Sequence, residues 1–130
     1  DKVILMCLIH DLGEAFTGDI PTFLKTGEHE KKEEQLLTGW IQSFPEPLRC
    51  DMLSLYKEMA ERTTLEARIF KAMDSLEAVI QHNESHISTW AENEYELNLT
   101  YGNDKAAFSP YLTHLRQAIR EETLRKMEEA

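Results

Sequence analysis

Positive charge is scarce in this chain of 130 residues: 14 Lys and Arg stand against 24 Asp and Glu, a formal charge of −10 at pH 7. Such an acidic balance argues against non-specific binding to a nucleic-acid polymer or to an anionic membrane. Cysteine is nearly absent. Cys7 lies in an apolar run and Cys50 in an expected helix, with neither metal-type nor disulfide-framework spacing. Both read as reduced structural thiols, which fits a cytoplasmic location. The apolar run Val3–Ile9 is far too short to span a bilayer, and no signal peptide is visible. There is no Gly-rich phosphate loop, no internal repeat, no low-complexity segment and no strand signal.

What is present is concentrated near the start. The stretch Leu8–Ile9–His10–Asp11–Leu12–Gly13–Glu14–Ala15–Phe16–Thr17–Gly18–Asp19–Ile20–Pro21–Thr22 follows that apolar run with His10, Asp11, Glu14 and Asp19 inside ten residues. Buried ionisable groups are costly unless they are paired or coordinate a metal, and imidazole beside carboxylate is a plausible half of a divalent-cation site. On a helix Glu14 shares a face with His10 (i+4) and Asp11 (i+3). His10 and Asp11 themselves point about 100° apart, so both reach one ion only where the helix bends or ends. Gly13 is a suitable place for that irregularity. Gly18–Asp19 marks a turn and Pro21 prevents an immediate return to helix. Taken alone, His10 reads equally well as a satisfied core histidine.

The run H-D-L-G-E-A-F-T-G-D-I-P-T resembles the HD-domain metal-dependent phosphohydrolases, most closely their 5′-deoxynucleotidase branch, in which H-D-x-x-E is followed by T/V-G-D-[IL]. Lys71–Ala72–Met73–Asp74–Ser75–Leu76–Glu77 resembles the K-x-x-D-x-[LC]-E block that carries the last metal ligand there. The likeness covers most of the first two thirds of the chain; beyond about Glu84 it is only general. It implies His10, Asp11 and Asp74 as metal ligands, and catalytic roles for Glu14 and Asp19. It further implies substrate contacts from Asp11, Asp19 and Thr22, and a homodimer. In that family a first histidine ligand and an Arg–Trp pair come from an N-terminal part for which this chain shows no counterpart. The chain starts at Asp1 and enters an apolar helix directly, so the expectation is an HD domain over 1–130 that lacks its N-terminal helix or helices.

The rest of the chain reads as helical scaffold. The spacing of Leu36, Leu37, Trp40, Ile41 and Phe44 predicts a helix from about Glu28 to Phe44, with Glu30–Lys31–Lys32–Glu33–Glu34 as a solvated face and His29 on the surface. After the break at Pro45–Glu46–Pro47 a helix is expected from Leu48 to about Ala60, with Leu48, Met52, Leu55, Tyr56 and Met59 inward. Thr63–Thr64–Leu65–Glu66 has the form of a capping box and opens the longest helix, whose inward stripe is Leu65, Ile69, Met73, Leu76 and Ile80. Asp74 is a poor interior helix residue. By itself it reads equally as a half-exposed partner of Lys71, and Glu77 as a surface carboxylate. His82 is too far from Asp74 along the axis, roughly 12 Å, to share an ion with it. With His86 and His114 it is expected at the surface or in a cap. Residues 84–108 suggest one or two short helices. Ser109–Pro110 reads as an N-cap and N1 opening a last helix to near Met127, with Leu112, Leu115, Ile119 and Leu124 inward.

The expected fold is therefore an all-α bundle of about six helices. Mixed imidazole–carboxylate ligation suits Mn²⁺, Co²⁺, Fe²⁺ or Zn²⁺. Glu14, beside the ligands, is placed to orient or deprotonate a water. The reaction implied by the resemblance is hydrolysis of deoxynucleoside 5′-monophosphates. Other HD-type sites cleave phosphodiesters or triphosphates, so a nucleotide phosphodiesterase is one alternative. A non-catalytic nucleotide-binding or dimerisation module is another, although it has no need for Glu14 and Asp19. A purely structural bundle leaves His10, Asp11 and Asp74 unexplained together.

Overall fold

The computed structural model describes residues 1–21 and 24–130. The expectation of an all-α fold holds, and no strand occurs among these residues. Among the described residues six helices have seven or more residues: α1 (Lys2–Ile9), α3 (Gly27–Ile41), α4 (Leu48–Glu61), α5 (Leu65–Glu84), α6 (Glu94–Thr100) and α8 (Pro110–Glu128). Two single turns, α2 (Glu14–Thr17) and α7 (Asn103–Ala106), and a 3₁₀ turn at Ile87–Thr89 fill the connections. The chain divides into two units, Asp1–Ala67 and Arg68–Ala130.

In the first unit α1 and α3 pack on α4, and α2 on α3. Its buried apolar residues are Met6, Ile9, Leu37, Ile41, Leu55, Met59 and Ala67. Burying each of the larger ones fully is worth about 1.5–3 kcal/mol. Helix α1 is less buried than its composition suggests: only Met6 and Ile9 are covered, while Ile4, Leu5 and Leu8 are exposed. Eight residues make little more than two turns, so one face meets α4 and the others do not. Cys7 and Cys50 are likewise exposed rather than packed inside.

Capping explains where the helices start. Thr26 caps α3 in a reciprocal box: its hydroxyl accepts from the His29 N–H, and His29 Nδ1 accepts from the Thr26 N–H at 3.3 Å. The exposed histidine therefore fixes the helix start, which falls at Gly27. Glu46 tethers the start of α4, accepting from Arg49 Nε at 2.8 Å and from the Cys50 N–H at 3.2 Å; the Glu46–Pro47 peptide is cis. At α5 the cap is Thr64, whose hydroxyl accepts from the Ala67 N–H at 3.2 Å and donates to Glu58 at 2.7 Å. The expected box from Thr63 to Glu66 is thus displaced by one residue, because Thr64 finds a carboxylate on α4. Leu65 and Leu48, both expected inward, are exposed first-turn residues.

In the second unit α6 and α7 pack on α8. Ala72, Ala106 and Leu112 form one core cluster, and Leu76, Val79 and Ile119 another. Gly102 has φ +84°, and a Cβ there would meet Ser75 Cβ at 3.2 Å, so conformation and close approach both require glycine. Ser109 and Pro110 open α8 as the sequence predicts, the Ser109 hydroxyl accepting from the Leu112 N–H. The buried stripe of α8, however, is Leu112, Arg116, Ile119 and Thr123. Two polar residues stand where Leu115 and Leu124 were expected to dominate, and both are bonded. Thr123 Oγ1 donates to Asn83 Oδ1 at 2.9 Å, and Asn83 Nδ2 donates to the Ile119 carbonyl. Arg116, 3 % exposed, donates to the Tyr101 carbonyl at 2.9 Å and the Asn98 carbonyl at 2.8 Å. It thereby caps the C-terminal end of α6, where helix carbonyls lack intrahelical donors. Burial, with Arg120 nearby, pulls its pKa below the usual guanidinium value.

Candidate functional site

Helix α1 ends at Ile9, and the chain turns immediately. The Leu12 N–H donates to the Ile9 carbonyl at 3.2 Å, so His10 and Asp11 occupy the centre of a four-residue turn. The Glu14 N–H then donates to the Asp11 carbonyl at 3.0 Å and starts α2. The helix therefore stops where the two side chains need it to stop if they are to converge. His10 Nδ1 lies 2.6 Å from the Cys7 carbonyl, and Nε2 lies 3.1 Å from Asp11 Oδ2. A carbonyl can only accept, so Nδ1 carries the proton of the ring. Nε2 of a neutral imidazole and the carboxylate oxygen then present lone pairs to one another, an arrangement that calls for a positive charge: a proton or a metal ion. Metal-bound histidines characteristically donate their other N–H to a carbonyl in this way. Two ligand atoms at right angles about an ion with bonds of about 2.1 Å lie about 3 Å apart. The chemistry of this pair fits a divalent cation. Among the described residues no group of three or more His, Cys, Asp or Glu side chains gathers into a set able to hold an ion.

Glu14 is half-buried on α2. Burial first, then the negative charges of Asp11 and Asp19, hold its carboxyl above the usual carboxylate range, with Lys25 opposing and Glu33 adding to the rise. Gly18 closes α2 with its N–H on the Glu14 carbonyl at 2.7 Å and a φ of +81° that favours glycine. It leads directly into Asp19, which is exposed. The hydroxyl of Thr17 is buried with no hydrogen-bond partner among the described residues. Thr22, expected to contact substrate, lies outside the described residues.

Asp74 lies mid-way along α5 in the second unit, where its Oδ2 takes Lys71 Nζ at 3.0 Å. Glu77 is exposed, as expected. His86 caps the 3₁₀ turn and His114 is exposed, in line with the sequence reading. His82 is more than a surface group: Nδ1 stands 2.8 Å from Asn98 Oδ1, and its carbonyl accepts from Trp90 Nε1 at 2.9 Å.

The roles of three residues near the motif were not foreseen in the sequence. Lys25 pairs with Glu33 at 2.8 Å. Burial works against its charge, but Glu33, Glu14 and Glu30 raise its pKa above the usual lysine value. Glu33 is thus not part of a solvated face; it lies under Gly13, where a Cβ would come within 2.6 Å of its Cγ. Helix periodicity places Glu33 one turn before Leu37, on the packed side of α3, and that was the available signal. Tyr56 on α4 donates its hydroxyl to the Ile9 carbonyl at 2.5 Å. Burial, with the charge of Asp11, pushes its pKa up to about 12. Nothing in the sequence distinguished it from a core aromatic.

The chain is 30% identical to the 5′-deoxynucleotidase HDDC2 of Homo sapiens over 86 residues, which are 65% of this chain and 42% of the relative. It is 31% identical to the protein of that name from Mus musculus (65% and 43%) and 30% identical to the one from Xenopus laevis (62% and 41%). The chain thus spans about two fifths of the length of the curated relatives it matches. No solved structure matches it. The family profile described as HD domain matches residues 1–116, from α1 through the start of α8. Since this span includes both the His10–Asp11 turn and Asp74, the chain belongs to the HD domain family.

Proposed function

We propose that this protein is a metal-dependent phosphohydrolase, a 5′-deoxynucleotidase that converts deoxynucleoside 5′-monophosphates to deoxynucleoside and phosphate. The observation that carries the reading is the His10–Asp11 pair, two ligand atoms 3.1 Å apart at the end of α1, followed one turn later by the half-buried Glu14. The relatives named 5′-deoxynucleotidase support the substrate class.

In this reading His10, Asp11 and Asp74 hold a divalent cation, with Mn²⁺, Co²⁺, Fe²⁺ and Zn²⁺ all suited to the donor set. When bound, the cation polarises a phosphoryl oxygen and acidifies a water. Cys7 fixes the His10 tautomer through its carbonyl, leaving Nε2 as the ligating nitrogen. Glu14 orients the attacking water and takes its proton; a carboxyl held above its usual range is a better acceptor near neutral pH. Asp19 joins Glu14 in catalysis, while Asp11, Asp19 and Thr22 contact the sugar or phosphate. Lys25, paired with Glu33 and felt electrostatically by Glu14, supplies positive charge in an otherwise acidic chain. The same reading takes residues 1–130 as one HD domain, active as a cytoplasmic homodimer. No described helix is long and apolar enough to cross a membrane.

The test is phosphate release from a panel of ribo- and deoxynucleoside 5′-monophosphates by the metal-stripped protein, reloaded with Co²⁺ or Mn²⁺, with Glu14→Ala as control. Metal-dependent release from the deoxy set, lost in the variant, is the expected result. Tight metal binding without release from any monophosphate would overturn the reading.

A further inference from the structure

The carbonyl of Ile9 is the junction on which the His10–Asp11 turn is built. It accepts from the Leu12 N–H at 3.2 Å, which closes the turn, and from the Tyr56 hydroxyl at 2.5 Å. Carbonyls at a helix C-terminus lack intrahelical donors, and some side chain or water ordinarily satisfies them. Here the donor reaches across from α4 and takes the one carbonyl that immediately precedes His10. The His10 ring is already fixed at Nδ1 by Cys7, one turn back. What remains to be set is the rotation of the Ile9–His10 peptide relative to that ring. This rotation decides how closely Nε2 and Asp11 Oδ2 approach.

We propose that Tyr56 is a positioning residue for the cation pair: by holding the Ile9 carbonyl it sets the His10–Asp11 geometry, and with it the affinity for the metal. The inference rests on the metal reading of that pair given above. A purely structural Tyr56 would tie α4 to α1 and no more. The two roles separate cleanly, because α1 and α4 are also joined at the other end of α1, where Lys2 Nζ meets Glu58 at 3.1 Å. Loosening that end weakens the same helix pair without touching the Ile9 carbonyl.

The experiment measures Co²⁺ affinity by calorimetry and the visible absorption of the Co²⁺-loaded protein, for the wild type, Tyr56→Phe and Lys2→Ala. Tyr56→Phe is expected to bind Co²⁺ up to about 10-fold more weakly, the low end of the range found when direct partners of metal ligands are removed, because Tyr56 acts one bond further out. Its Co²⁺ bands should shift, while Lys2→Ala keeps both affinity and spectrum. Wild-type affinity and spectrum in Tyr56→Phe would overturn the proposal and leave the metal reading intact. An equal loss in Lys2→Ala would overturn it too, by assigning the effect to helix packing. If the wild type binds no Co²⁺, both this inference and the metal reading fail. Should Tyr56→Phe not fold, the wild type decides: on Zn²⁺ addition the ¹³C resonance of Tyr56 Cζ should move, and an unmoved resonance overturns the proposal.

Discussion

Replacing Asp74 by alanine removes a carboxylate from the interior of α5, and the opposing effects on stability can be set against each other. Its ion pair with Lys71 is an i,i+3 contact at 3.0 Å between side chains that are 29% and 26% exposed. Pairs of this kind on a helix contribute roughly 0.2–0.5 kcal/mol. Against that loss, alanine is the better interior helix residue by up to about 0.7 kcal/mol. The two effects nearly cancel. At about 2.1 cal/mol/K of unfolding entropy per residue, 1 kcal/mol corresponds to roughly 4 °C in a chain of this length. From these two effects the metal-free Asp74→Ala protein should melt within about 2 °C of the wild type. With Asp74 in the ligand role proposed above, its loss should cost at least the 10- to 100-fold in affinity that removal of an outer partner costs, with phosphate release falling alongside. Circular dichroism melts of the metal-free proteins and Co²⁺ calorimetry read the two quantities separately. A drop in melting temperature of more than about 5 °C would make Asp74 a structural residue, and wild-type Co²⁺ affinity would remove it from the ligand set.

Glu14 gives a pH-dependent expectation for the metal-free protein. Its folded-state pKa is raised, chiefly by burial, above the usual value of 4.5, so between these limits the native state binds more protons than the unfolded one. Stability should then fall as pH rises through that window, and Glu14→Gln should flatten the fall; melts of both proteins across pH 4–7 that show identical slopes would contradict it. Arg116→Met exchanges two charge-assisted bonds to the end of α6 for apolar packing of similar size. Bonds of this type are worth about 1.5–3 kcal/mol each. Part of that is offset by the buried Nη1, which has no partner among the described residues. The expected net loss is about 2–3 kcal/mol, or roughly 8–12 °C in melting temperature. A variant as stable as the wild type would mean that burying the charge costs as much as its bonds return.

The parts of this protein legible in the sequence are those governed by local rules. Apolar periodicity located α3, α4, α5 and α8 to within a few residues, and Ser109–Pro110 located the start of α8, because caps and helical repeats are properties of neighbours along the chain. That a helix must bend or end for His10 and Asp11 to converge was also readable, but the expected place was Gly13, whereas α1 stops earlier, at Ile9, and Gly13 keeps helical dihedrals. What escaped depends on contacts distant in sequence. Thr64 rather than Thr63 caps α5 because Glu58 is within reach. Glu33 leaves the charged surface because Gly13 and Lys25 meet it. Arg116 and Thr123 replace leucines in the buried stripe of α8 because the end of α6 and Asn83 supply their partners. Tyr56 has no local signature at all, since a hydroxyl that reaches a carbonyl on another helix looks in sequence like any core tyrosine.

The two tryptophans divide between the two units, and their surroundings differ. Trp40 is 41% exposed and stands edge-on between Phe16 at 6.0 Å and Phe44 at 4.6 Å. Trp90 is 8% exposed, with its indole N–H committed to the His82 carbonyl. Water around an excited indole shifts its emission to the red, so Trp40 should emit at longer wavelength than Trp90. Each unit thus carries its own built-in optical label. A Trp90→Phe protein would leave Trp40 as the sole tryptophan, so emission excited beyond the tyrosine band would report on α2 and α3 beside the His10–Asp11 turn.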